Sequence, residues 1–512
     1  MRRKIWHLLF SRYSVCALAI VMEFVIVALV IAAASEVSYA FLALALLVDI
    51  AAVVAIINNN ANPEYKVTWI VVVMLLPLLG TMLYLIFYRR RMTRKEEHLL
   101  AEIINRINSH NEDTPAFDMM RRRSPLAAGK ARAISNDDPL ADVYDKTTSV
   151  FFSTGEAYFA SMIEQLRLAK DFIFLEYYII SDGELWDVIH KILIDKVKEG
   201  VEVRVLFDDL GCMRNLPSNY EYTLRREGIL AHRFAKISPK MTAVHNNRDH
   251  RKICIIDGKV GYTGGVNIAD EYVNRLERFG HWKDGGIMLR GDAVGGLMKQ
   301  FLSGWDFAVG SIGEYGRYFR AVTPAKRPDG GFYIPFGTGP APIYMRQGGK
   351  NAFLNLINQA RRYVFITTPY LIIDYDLTES LCNAALRGVD VRIITPGIPD
   401  KKNVKVMTQS YYPYLMNAGV KIYEYTPGFI HEKTFVCDDK YAVIGTINFD
   451  YRSLVHNFEN AVWMYNTPTV EVARDSFIET LEKSEQVDEH RSKLTLREWL
   501  TKNAIRLFAP MM

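Results

Sequence analysis

Two short stretches hold the residue types that can do chemistry. HRKICIIDG (250–258) opens with His250 and Lys252, runs apolar through Ile253, Cys254, Ile255 and Ile256, and turns at Asp257 and Gly258. On a strand, residues i and i+2 point to one side, so an imidazole and an ammonium stand together at the mouth of a buried strand. HEKTFVCDD (431–439) repeats the design, with His431, Lys433 and Asp438 matching in type and spacing. At matching offsets come Gly264 and Gly445, then Asn267 and Asn448, within TGGVN and IGTIN. The residue after each of those glycines is Gly265 in one copy and Thr446 in the other. An outlying carboxylate follows, Asp284 in HWKDGG and Glu459 in HNFEN.

Ammonium and amide groups are donors, and they suit an anion such as a phosphate diester, whose charge moves onto its non-bridging oxygens during displacement. Asn267, Thr446 and Asn448 are the expected phosphate-binding residues beside Lys252 and Lys433. Two imidazoles flanking one phosphorus can divide the work. One attacks and becomes covalently bonded; the other protonates the leaving oxygen, then takes a proton from an incoming alcohol or water. Asp284 and Glu459 are expected to orient the rings from their far nitrogens. Asp257 and Asp438, five residues past each lysine, are expected at strand ends in a structural role. A metal site fits poorly, because a lysine two residues from each histidine repels a cation.

These groups need elements to carry them. AKDFIFLEYYI (169–179) resembles ARRYVFITTPYLI (360–372), and GVEVRVLFDD (200–209) resembles GVDVRIITPG (388–397). Alternating strands and helices predict α/β layers, and two tandem copies predict a pseudo-two-fold pair with the active groups at its interface. The expected halves are 148–330 and 331–475, followed by a helical tail at 476–512 that caps the sheet. Residues 96–147 are polar, contain Pro115, Pro125 and Pro139, and are expected to form a linker.

Residues 1–95 contain three apolar runs, 14–34, 39–57 and 67–88, each long enough to be a candidate membrane span. Pro77 and Gly80 can break the third; Glu23 and Asp49 weaken the first two. Basic residues flank the region on both sides, and the denser block, Arg89 to Lys95, places the soluble part on the cytoplasmic face. The 512 residues carry a formal net charge of +5, too mild to indicate nucleic acid. A nucleic-acid-binding module would also have no need of paired imidazoles. The five cysteines are scattered without metal or redox spacing, which points to a reducing compartment for the soluble part.

The doubled HxKxxxxD pattern with its Gly-x-x-Asn tails resembles the phospholipase D superfamily over roughly residues 150–475. EYYIISDG (176–183), HRKICIIDGKVGYTGGVNIADEY (250–272), GHWKDGG (280–286), TPYLIID (368–374) and the N-terminal NPEYKVTWIVVVMLLPLLGTMLY (62–84) are similar to bacterial cardiolipin synthase. The resemblance implies two phospholipase D-like α/β sandwich halves preceded by hydrophobic membrane helices, in a multi-pass bacterial cell-membrane protein. It marks His250, Lys252, Asp257, His431, Lys433 and Asp438 as the catalytic motif. It implies transfer of a phosphatidyl group between two phosphatidylglycerols, giving cardiolipin and glycerol, through a phosphohistidine and without metal or other cofactor. The family's usual order makes His250 the nucleophile. Gly265 departs from the Ser or Thr common at its position. Hydrolysis, or transfer to another alcohol such as serine, stays open at this point, and so does a non-catalytic nucleic-acid-binding role.

Overall fold

Strands buried on both faces read as continuous apolar runs, and the runs noted above become the centres of two sheets. The computed structural model describes residues 36–60, 62–87, 93–110, 115–236, 247–341, 344, 346–488, 506 and 509. The chain divides into two units, one centred on Met1–Arg91 and a larger one covering Met92–Lys236 and Asn247–Arg506.

In the larger unit the first half supplies β1 (Thr147–Phe152), β2 (Phe172–Tyr177), β3 (Glu202–Asp208), β4 (Leu230–Phe234), β5 (Lys252–Ile256), β6 (Val260–Gly264), β7 (His281–Lys283) and β8 (Gly286–Gly291). The second half supplies β9 (Phe332–Thr338), β10 (Tyr363–Thr367), β11 (Leu371–Ile372), β12 (Asp390–Pro396), β13 (Lys421–Tyr425), β14 (Gly428–Ile430), β15 (Thr434–Cys437), β16 (Tyr441–Gly445), β17 (Phe449–Asp450), β18 (Glu459–Tyr465) and β19 (Ser484–Gln486). The sheet orders are β1-β8-β6-β5-β2-β3-β4 and β9-β18-β16-β15-β10-β12-β13-β19. Apart from the added β19 the two orders correspond strand for strand. In both, three parallel strands adjoin an antiparallel set.

The sheets share one apolar core. Phe174, Ile253, Ile255 and Leu289 of the first meet Phe365, Val436, Ile444 and Val462 of the second in a single cluster, together with Leu297, Phe301 and Trp305 of the helix Val294–Val309. Alternate residues of the first sheet, Ile173, Leu175 and Cys254, face the helices Gly155–Arg167 and Glu184–Lys198 instead. The central strands β2, β5, β10 and β15 are thus sealed on both sides.

Two sequence expectations change. The stretch expected as a linker, 96–147, forms helices Arg94–Asn108, Ala116–Arg123 and Pro125–Asp137. The first begins with a capping box, in which Thr93 Oγ1 accepts from Glu96 N and Glu96 Oε2 accepts from Thr93 N. It lays Leu100, Ile103, Ile104 and Ile107 into the shared core, each burial stabilising by roughly 1.5–3 kcal/mol. The boundary expected at 475 falls inside the helix Pro468–Glu482, whose Phe477 stacks on Phe365 of the second sheet. The rest of the expected tail, from 489 with Trp499, Leu500, Ile505 and Leu507, lies outside the described residues apart from Arg506 and Ala509.

In the apolar N-terminal unit the break expected near Pro77 is present. The run 14–34 lies outside the described residues, and 39–57 falls in the helix Glu36–Asn58. The run 67–88 is not one element. It is split into helices Pro63–Leu75 and Leu79–Phe87, because Pro77 lacks a backbone donor and Leu78 takes a left-handed φ of 62°. Asp49 serves that break, its carboxylate accepting from Leu78 N at 3.2 Å and Thr81 Oγ1 at 2.6 Å. Among the described residues, no helix is long and apolar enough to cross a membrane.

Candidate active site

β5 and β15 present the two histidines at corresponding ends, and each half completes the other's histidine. His250 N donates to Phe458 O at 2.8 Å, and His250 Nδ1 lies 2.8 Å from Oε2 of the next residue, Glu459. His431 N donates to Lys283 O at 2.7 Å, and His431 Nδ1 lies 2.7 Å from Oδ2 of the next residue, Asp284. The pattern is the same twice, with the roles of the halves exchanged. Since Nδ1 is taken by a carboxylate, Nε2 is the nitrogen left for chemistry on each ring. Lys252 Nζ donates to His250 O at 2.7 Å, and Lys433 Nζ donates to His431 O. Parallel pairing of β7 with β14 and a bridge between Asp249 and Phe458 stitch the halves together beside the site.

The motif aspartates are elsewhere. Asp257 sits at the β5–β6 turn with φ 53°, and its carboxylate accepts from Lys170 N, Asp171 N and Phe172 N. Asp438, φ 57°, does the same for Arg361 N, Arg362 N and Tyr363 N. Both lie at the far end of the histidine strand and anchor the start of β2 and β10, so their place in the motif reflects the fold and not contact with the imidazoles.

Residues 162–277 and 353–481 match the family described as cardiolipin synthase, phospholipase D-like domain. Residues 47–89 match the phospholipase D-nuclease N-terminal family. A cardiolipin synthase of Halalkalibacterium halodurans is 33% identical over 90% of this chain and 91% of its own length. The chain belongs to the cardiolipin synthase family of the phospholipase D superfamily. An uncharacterized protein of Streptococcus mutans is 40% identical over 90% of this chain and all of its own length. The crystal structure of phosphatidylserine synthase from Haemophilus influenzae shares the fold, with a TM-score of 0.55 at 15% identity, covering 75% of this chain and 98% of that one.

In this cardiolipin synthase family member the Gly265 departure has a steric cause. A Cβ at 265 would overlap the Asp284 carboxylate and approach His431 O to 2.9 Å. The equivalent Thr446 sits against the other orienting carboxylate, its hydroxyl donating to Glu459 Oε2 at 2.5 Å and accepting from Asn460 N at 3.0 Å. Thr446, one of the expected phosphate-binding residues, thus stands beside the His250-orienting carboxylate. Asn267 Oδ1 accepts from Ile179 N at 3.0 Å, and its Nδ2 donates to Tyr272 OH at 2.7 Å. Asn448 is buried, and among the described residues its Oδ1 has no hydrogen-bond partner.

Apart from Tyr178, the aromatic surroundings were not read from the sequence, nor were the charges between each His and Lys. Tyr178 meets the His250 ring at 4.9 Å, and Tyr272, Trp282 and Phe429 lie 5.5, 5.6 and 5.8 Å from the His431 ring. Arg251 and Glu432 point away from the chemistry: Arg251 pairs with Asp249 and Glu176, and Glu432 with Lys283. A charged residue between two site residues on a buried strand was the available signal, since it demands an ion partner on the opposite face. His281 bonds Tyr425 OH at 3.0 Å, away from both rings, and His245 lies outside the described residues.

Burial governs the electrostatics. It lowers both imidazole pKa values well below the ordinary range, and the two site lysines push them down further. It brings Lys252 to about 8 against the pull of Glu459 and Asp284, and Lys433 to about 7 against Asp284. The same desolvation raises Asp284 to about 6 and Glu459 to about 7. The site therefore favours neutral imidazoles with a free lone pair on Nε2. An arriving phosphate diester supplies the negative charge that lets the lysines and one imidazole hold protons.

Proposed function

We propose that this chain is a membrane-bound phosphatidyltransferase that makes cardiolipin and glycerol from two phosphatidylglycerols through a phosphatidyl-histidine intermediate. The observation that carries the reading is the crossed His–carboxylate pairing, by which the two halves build one buried two-imidazole site with two lysines. The cardiolipin synthase relatives supply the substrate class.

The donor phosphate is held by Lys252, Lys433, Asn267 and Asn448. His250 Nε2 attacks phosphorus; the P–O bond to glycerol breaks, and the glycerol oxygen takes the proton on His431 Nε2. The free hydroxyl of a second phosphatidylglycerol then gives its proton to His431 and bonds to phosphorus. The P–N bond breaks, releasing cardiolipin and restoring His250. Glu459 and Asp284 hold the rings and stabilise the imidazolium form, and Thr446 fixes Glu459.

Membrane association is supported by the apolar side chains that the helix Glu36–Asn58 leaves exposed, among them Leu42, Leu44, Leu46, Leu47, Ile50, Val54 and Ile57. The basic residues 89–95 put the catalytic part on the cytoplasmic face.

The test is purified full-length protein reconstituted with labelled phosphatidylglycerol. Cardiolipin and free glycerol are expected, with activity unchanged by EDTA. His250→Ala and His431→Ala each lower turnover roughly 10³-fold or more. Acid-labile label trapped on His250 but not on His431 identifies the nucleophile. Phosphatidic acid as the sole product would replace transfer by hydrolysis.

A further inference from the structure

Each histidine is followed by a charged residue that turns to the other face of its strand. There it meets the residue that precedes the other half's orienting carboxylate. Behind His250 the two are Arg251 and Phe458, with the guanidinium 5.7 Å from the ring centroid. Arg251 is already neutralised within its own half by Glu176 and Asp249, so the contact between halves is one of cation and ring. Behind His431 the two are Glu432 and Lys283, and they form an ion pair between the halves. Both are buried. Thr434 Oγ1 donates to Glu432 Oε1 at 2.7 Å, and Lys283 Nζ donates to Ser153 O at 2.6 Å. The lysine is joined to the histidine through its main chain as well. His431 N donates to Lys283 O at 2.7 Å, and the next carboxylate, Asp284, holds His431 Nδ1.

We infer that Lys283 and Glu432 are a positioning pair for His431, setting the ring that gives and takes the proton while leaving the attack by His250 unaffected. The inference rests on the transfer reading above and adds two residues that the doubled motif does not contain. In an ion pair this buried, desolvation offsets most of the attraction, so the pair contributes less to stability than to which atoms lie opposite one another. It fixes Lys283 against the histidine strand, and with it the Lys283 carbonyl and the Asp284 carboxylate that hold the ring. The lysine charge acts too. Burial raises the Asp284 carboxyl, and Lys433, Lys252 and Lys283 draw it down. A neutral residue at 283 weakens the support that Asp284 gives to the imidazolium. In the first step His431 Nε2 gives its proton to the glycerol oxygen as the P–O bond breaks. A p-nitrophenolate leaves with the electron pair of that bond and needs no proton, so its departure reads the attack by His250 alone.

The experiment gives full-length protein in mixed micelles two donors. Cardiolipin formation from phosphatidylglycerol measures the complete reaction. Release of p-nitrophenolate from phosphatidyl-p-nitrophenol, with enzyme in excess, measures the attack in a single turnover. Lys283→Met and Glu432→Gln are expected to lower cardiolipin formation by about fivefold or more and p-nitrophenolate release by less than about twofold. Lys283→Arg, which keeps the charge, stays within about threefold of wild type in both. His431→Ala shows the same split more strongly. If His431→Ala keeps the split while the two variants slow both reactions alike, or neither, the positioning pair is overturned, because a general loss of site structure slows the attack as well. Should Lys283→Met fail to fold, Glu432→Gln decides alone. A wild type that yields no cardiolipin, or a His431→Ala that slows both reactions alike, overturns the transfer reading itself, and the inference with it.

Discussion

Six titratable groups make up the site of the proposed chemistry, and their common feature is removal from water. The two lysines, brought to about 8 and about 7, lose charge near neutral pH unless an anion is present. A bound phosphodiester raises both values, so binding is accompanied by proton uptake wherever the free lysines are neutral. Affinity is then fully developed below pH 7 and falls as pH rises through 7 to 9, by up to about tenfold per unit for each proton taken up. Calorimetry of a slowly reacting diester such as dimethyl phosphate, in buffers of different ionisation enthalpy, measures both the affinity and the protons; a flat profile would show that the lysines stay charged unaided. His250, Lys252, His431 and Lys433 were readable from type and spacing, because a strand fixes i and i+2 on one side. The aromatic rings around His431 were not, since Tyr272, Trp282 and Phe429 arrive from different strands and loops.

At the scale of elements, the HxKxxxxD spacing records a strand and its turn. The histidine and lysine lead into β5 and β15, and the aspartate follows the strand in a left-handed residue that gathers three backbone donors. Asp257→Ala leaves those donors unmet in a buried setting and is expected to cost about 2–3 kcal/mol; Asp438→Ala, at a half-buried turn, about 1 kcal/mol. Denaturant unfolding checks the stability, and kcat per folded molecule stays within about twofold; a large fall in kcat would give the aspartates a part in the chemistry. The apolar strands were legible as elements because both faces are buried. The helices at 94–137 were overlooked although the capping box at Thr93 and the Ser124–Pro125 start were present. Proline spacing suggested a linker, but Pro125 stands at a first helical turn, where the missing N–H costs nothing.

The whole molecule joins two copies through a common core, and each copy's histidine depends on a carboxylate of the other. That dependence is non-covalent, so continuity of the chain between the halves is dispensable. A protease site placed at the exposed Lys326–Pro328 and cleaved after folding is expected to leave activity within about twofold, with both fragments migrating together in a native gel and apart once denatured. Loss of activity on cleavage would mean that the connection itself holds the geometry. The sequence by itself determined the doubled motif, the α/β repeat and the apolar N-terminal unit, because these depend on residue type and local periodicity. Only the tertiary structure decided that Glu459 serves His250 and Asp284 serves His431, and that Gly265 makes room for Asp284. Those are contacts between strands and loops far apart in the chain, and local periodicity holds no record of which distant surfaces a shared core will press together.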